Sequence, residues 1–133
     1  MQVTFDYPGI VVVNPEFYLR RLTPSQSRQD ASGIAEALRH LPGVDATTIS
    51  SYPPLTRRLW IEHAGSSQLI MNAVDASYFS LMHLPLLQGH LFESGEADAV
   101  IVSESAARRI WPKEAPLGKG LLIETRNAPS WVW

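Results

Sequence analysis

The chain of 133 residues contains no cysteine, which excludes disulfides, thiolate nucleophiles and cysteine-based zinc sites at once. The compartment stays open, because cytosolic and periplasmic proteins alike can do without cysteine. Neither charge dominates: 11 Lys and Arg against 13 Asp and Glu give a formal net charge of −2. Such a balance gives nucleic acid and anionic lipid no electrostatic reason to bind. The pairs Arg20-Arg21, Arg57-Arg58 and Arg108-Arg109 are separated by neutral or acidic stretches and read as solvated faces. Long apolar runs are missing as well. Stretches such as Ile10 to Val13 and Ala99 to Val102 fall far short of the roughly 20 residues a membrane helix requires. No basic segment leading into an apolar one opens the chain, so no signal peptide is visible.

What is present is an ordinary globular composition, 45% apolar and 18% charged, which argues against disorder. The length suits one domain, or two small subdomains sharing a core, and roughly two-thirds of the unfolded surface can be buried without a metal or disulfide staple. Both ends read as cut. The start, Val3-Thr4-Phe5-Asp6-Tyr7, is already strand-forming, and the end, Ser130-Trp131-Val132-Trp133, carries two tryptophans where natural termini are polar and loosely ordered. An excised domain is the expectation.

Ile10-Val11-Val12-Val13 reads as a buried strand closed by Asn14-Pro15. Thr23-Pro24-Ser25-Gln26 is a helix start, with Thr as N-cap, Pro at the first helical position and Gln completing a capping box. Ile34, Leu38 and Leu41 recur at helical spacing, and Leu41-Pro42-Gly43 stops the helix. Val44 to Ser50 reads as a strand, which gives a β-α-β unit. Pro53-Pro54 then marks the expected subdomain boundary. Leu59 to Glu62 and Gln68 to Val74 form a hairpin around Ala64-Gly65-Ser66-Ser67, and Asp75 caps a short helix from Ala76 to Met82. An irregular stretch runs from His83 to Asp98. Ala99 to Val102 is a strand leading into Ser103, the cap of a helix from Glu104 to Trp111 that Pro112 ends. Gly120 to Thr125 is a last strand.

Several residues invite chemistry and then fail its requirements. His40, His63, His83 and His90 show none of the short spacings that let imidazoles share an ion. Ser103 sits between strand and helix, as a hydrolase nucleophile would, yet Ile101, Val102, Glu104 and Ser105 surround it, with none of the glycines that flank such a nucleophile. Gly118-Lys119 lacks the phosphate-loop pattern: Lys113 occupies the position of its first glycine and Gly120 that of its Ser or Thr. Glu93, Glu96 and Asp98 crowd one loop, but their spacing matches no EF-hand. No catalytic residue, cofactor or metal site is assigned, and a non-enzyme is expected.

The second half nevertheless carries a pattern. Val74-Asp75-Ala76-Ser77-Tyr78-Phe79, then Leu86-Leu87-Gln88-Gly89 with Phe92, then Ala99-Val100-Ile101-Val102-Ser103-Glu104-Ser105-Ala106-Ala107, then Trp111-Pro112 and Ala115-Pro116-Leu117-Gly118-Lys119, resemble in order and spacing the MacB-like periplasmic core domain of FtsX-like ABC transporter permeases. Leu41-Pro42-Gly43-Val44 is similar too. His90 departs from the family, which usually has Arg there. The residues that carry the resemblance, Tyr78, Phe79, Gly89, Phe92, Ser103, Pro116 and Gly118, read as scaffold: aromatic anchors, turn formers and a cap.

The resemblance implies an α+β fold with a βαβ-type porter-like lobe and a second, β-rich lobe, in the order β-α-β-β-β-α-β-α-β. On this expectation residues 1–133 form one extracytoplasmic domain, with 1–52 as the porter-like lobe, 97–133 a candidate to return to it, and 53–96 the β-rich lobe. It further implies a membrane-embedded whole protein at the outer face of the cell's inner membrane. The expected partners are a second permease subunit, a cytoplasmic ATPase and, in some relatives, a periplasmic adaptor. ATP-driven movement would be relayed to the external domain, to export drugs, peptides or lipoproteins or to activate external enzymes. The competing expectation is a small-molecule sensor whose pocket, lined by Trp60, Tyr78 or Trp111, is closed by the loop from 83 to 98.

Overall fold

Pro8 and Gly9 turn the chain back on itself. The Pro8 ring presets φ, and Gly9 takes φ +80°, the left-handed value that the second central position of such a turn demands. The product is an antiparallel hairpin of β1 (Gln2–Tyr7) and β2 (Ile10–Asn14). Thr4 pairs with Val12 and Tyr7 with Ile10, so β1 carries one residue more than β2 between these pairs, a bulge. These coordinates come from a computed structural model that describes residues 2–20, 22–52, 60–64, 67–93, 96 and 98–123.

After a single 3-10 turn at Phe17–Arg20 comes α1 (Pro24–Arg39), which begins with the expected capping box. The Gln26 N–H donates to Thr23 Oγ1 at 3.3 Å, and the Thr23 N–H donates to Gln26 Oε1 at 2.9 Å. Two of the amide groups left open at a helix start are thereby satisfied. The face turned inward is made by Ser27 and Ala31, both buried, with Ile34, Ala35 and Leu38 half-buried beside them. It is smaller-sided than the Ile34, Leu38 and Leu41 face expected, because Leu41 lies past the helix end and is 51% exposed. Gly43, at φ +83°, completes the stop, and the Val44 N–H donates to the Leu41 carbonyl.

The second hairpin pairs β3 (Trp60–Ala64) with β4 (Ser67–Met71), Trp60 opposite Met71 and Ala64 opposite Ser67. The expected boundary at Pro53-Pro54 lies outside the described residues. Then follow α2 (Tyr78–Leu81) and α3 (Glu104–Ile110), with α3 packed on β4. The molecule is thus of mixed helix and strand type, with two separate two-stranded sheets among the described residues.

Three expected strands are not formed among the described residues. Residues 44–49, 99–102 and 120–123 are not strand, and the first stretch gains only an isolated bridge from Ser50 to Val74. The described order is therefore β-β-α-β-β-α-α. The reason is physical: β-branched residues favour extended backbone, but a strand exists only when a neighbour completes its ladder. The core is correspondingly thin. Among the described residues only Ser27, Ala31 and Leu69 are buried.

Candidate functional site

A broad groove opens along the inner side of α1. One wall is β2 with the Ile34, Ala35 and Leu38 side of α1, the floor is the extended segment 43–52, and the other wall is the stretch from Ala76 to His83. It encloses roughly 1720 Å³, well above the 300–1,000 Å³ of ordinary small-molecule pockets. Tyr78 belongs to this lining, but of the loop from 83 to 98 only His83 is among the described residues that line it.

Beneath it the chain crosses itself. Residues 48–52 run antiparallel to residues 72–75: the Ser51 N–H donates to Ala73 O at 2.8 Å and the Asp75 N–H to Ile49 O at 3.0 Å. Side chains reinforce the crossing at both ends. Tyr52 N–H donates to Asn72 Oδ1 and Asn72 Nδ2 returns a bond to Tyr52 O. The Asp75 carboxylate accepts from Thr48 Oγ1, from the Ile49 N–H at 3.0 Å and from the Ser77 N–H at 3.1 Å. Asp75 was read from the sequence only as a helix cap. The cap is not formed, because α2 begins only at Tyr78 with Ser77 as its N-cap and no side-chain cap bond; Asp75 holds the turn before it through the Ser77 N–H, and its partners 26 and 27 residues back leave no local signal.

The residues singled out by pattern fall into three places. Tyr78 and Phe79 meet edge to face, ring centres 5.9 Å apart, and Phe79 meets Phe92 in the same manner at 6.1 Å. Phe92 thus fastens the long loop to α2. Gly89 and the turn of Pro116 to Lys119 lie together: a Cβ on Gly89 would stand 3.1 Å from Leu117 Cδ2, and Gly89 and Gly118 both hold positive φ, +85° and +73°. Ser103 stands apart at the head of α3, where its Oγ accepts from the Ala106 N–H at 3.2 Å and sits 3.1 Å from Ser105 Oγ. That hydroxyl is a helix cap, and no base is within its described hydrogen bonds.

Among the described residues, His40, His83 and His90 share no hydrogen-bond or ion-pair partner. His40 pairs with Glu36 at 3.1 Å on the exposed face of α1. His83 holds φ +52° at the end of α2. His90 Nδ1 donates to the Leu91 carbonyl at 2.9 Å, and this bond, with Glu96 nearby, raises its pKa above the ordinary imidazole value. The side chain of His63 lies outside the described residues. Glu96 itself turns back to accept from the Glu93 N–H. Lys119 pairs with Glu114. Among the described residues no group of three or more His, Asp or Glu could hold a metal, and no helix is long and apolar enough to cross a membrane.

An α+β module with a turn-and-ring scaffold beside a broad groove is the class these features define. The family of MacB-like periplasmic core domains matches residues 1–129, and the chain belongs to it. It is thereby a periplasmic domain of an ABC transporter permease. The match takes in the first half, where the residue pattern was sparse. No curated protein and no solved structure matches the chain.

Proposed function

We propose that this domain is non-catalytic and works mechanically, relaying ATP-driven conformational change from the membrane and contacting partner proteins or cargo outside it. The observation that carries the reading is the family match over residues 1–129. The geometry supports it: the pattern residues Tyr78, Phe79, Gly89, Phe92, Pro116 and Gly118 serve ring packing and turns, and Ser103 serves a cap. The whole protein would sit at the outer face of the inner membrane with a second permease subunit, a cytoplasmic ATPase and, in some settings, a periplasmic adaptor. The two-lobe division, 1–52 with 97–133 against 53–96, belongs to the same proposal.

The test uses the intact permease with its ATPase. Deleting this domain should leave membrane insertion and basal ATP hydrolysis in place and abolish transport or the activation of an external enzyme. Full output without the domain would reject the relay. The isolated chain should show no saturable heat of binding with ATP, and a saturable isotherm would reject the non-catalytic reading.

A further inference from the structure

We infer that the crossing of residues 48–52 with 72–77 is the joint of the domain, and that the Asp75 carboxylate sets how far the groove stands open. The chain leaves the α1 half through 48–52, makes the β3–β4 hairpin, and returns through 72–77 directly into α2. The first segment of this crossing lines the groove's floor, and Ala76 and Ser77, directly after its antiparallel pairing, line the far wall. Asp75 bonds to both: Thr48 and Ile49 on the floor, Ser77 at the root of the wall. A carboxylate accepting three bonds is a charge-assisted clamp, each bond stronger than a neutral one. It is the part of the crossing through which floor and wall share one acceptor.

A second observation, on the same crossing, supports a joint that can rearrange. Ser51 Oγ, inside it, is buried with no hydrogen-bond partner. An unsatisfied buried hydroxyl raises the free energy of the state that contains it. Opening the crossing would return that hydroxyl to water while breaking the Asp75 clamp, so the two features oppose each other across one joint. A bistable element of this kind is what a domain needs if a small movement is to become a large one. The inference concerns the chain itself, so its failure would leave the transport reading untouched.

The absence of cysteine permits a clean measurement. Ala37→Cys on α1 and Ser80→Cys on α2, both exposed, place spin labels on opposite walls, and pulsed electron resonance reads the distance between them. With Asp75 intact, a single narrow distribution is expected. Asp75→Asn keeps the shape but cannot accept all three bonds, and should add a longer distance. Ser51→Ala, which removes the unsatisfied hydroxyl, should keep the distribution narrow. An unchanged distribution in Asp75→Asn, with far-ultraviolet dichroism showing a folded chain, overturns the inference. If Asp75→Asn does not fold, Thr48→Val removes one donor alone. A longer second distance in Thr48→Val then supports the joint, and an unchanged one overturns it.

Discussion

Residues 8–47 and residues 67–123 are ordered by different means. In the first region the described bonds are short-range: the Thr23–Gln26 capping box, the Glu36 pairs with Arg39 and His40, and the Asn14 side-chain Oδ1 that accepts from the Glu16 N–H. In the second, distant parts hold one another. Phe79 meets Phe92 across the long loop, Gly89 lies against Leu117, and Arg109 reaches the Gln68 carbonyl 41 residues away. Local order survives beside an open groove, because its partners are neighbours in the chain. Order built from distant contacts is lost together when one contact goes.

That contrast sets the largest expected effect. Phe79→Ala removes the ring shared by Tyr78 and Phe92, and should cost about 2–3 kcal/mol in urea unfolding, somewhat less than a fully buried Phe because the site is half-exposed. Leu38→Ala, on a side chain of similar burial that already lines the open groove, should cost only about 1 kcal/mol. Equal losses from the two would erase the distinction between the regions.

The legible parts of the fold follow from the same contrast. Helix α1 could be read residue by residue, since Thr23, Pro24 and Gln26 act within one turn and Pro42-Gly43 act just past its end. The β3–β4 hairpin and the Ser103 cap were readable for the same reason. The Pro8-Gly9 turn was equally local and carried its signal in the dipeptide, yet the strand at the start was read without it. By contrast, the strands expected at 44–50 and 99–102 rested on β-branched content, and content does not supply a partner. The crossing at Asp75 and Asn72 was illegible in principle. Nothing near Asp75 in sequence says that its oxygens will meet Thr48 and Ile49. In the second half the pattern could be matched to a family because distant contacts constrain several segments at once, which made four separated segments informative together.

The two helix caps give an intermediate test of the same contrast. Thr23→Ala and Ser103→Ala should each cost about 1 kcal/mol, but with different consequences. α1 is long and lightly supported, so losing Thr23 should fray it and lower the helical dichroism. α3 is short and rests on β4, so losing Ser103 should lower the unfolding midpoint with little change in the folded spectrum. A fall in helical signal of the same size in both variants would mean that α3 is held no better than α1.

The smallest effect is expected at His83, and its sign is informative. α2 ends in a Schellman arrangement: the Leu84 N–H donates to Phe79 O at 2.9 Å and the His83 N–H to Ser80 O at 3.2 Å. The residue between must be left-handed, a position that glycine fills at little cost, yet here it is histidine at φ +52°. A non-glycine residue pays about 1–2 kcal/mol for that conformation, and glycine gives back part of the difference through its looser unfolded chain. His83→Gly should therefore raise stability by about 0.5–1 kcal/mol, and His83→Ala, which keeps the strain, should not. Thermal or urea unfolding of the pair decides it. A gain confined to the glycine variant would show that the backbone alone sets the stability here, and that the imidazole at the groove margin is free to serve whatever enters the groove. A loss in both would mean that the ring holds the wall of the groove in place, and the order by distant contacts would then extend to its edge.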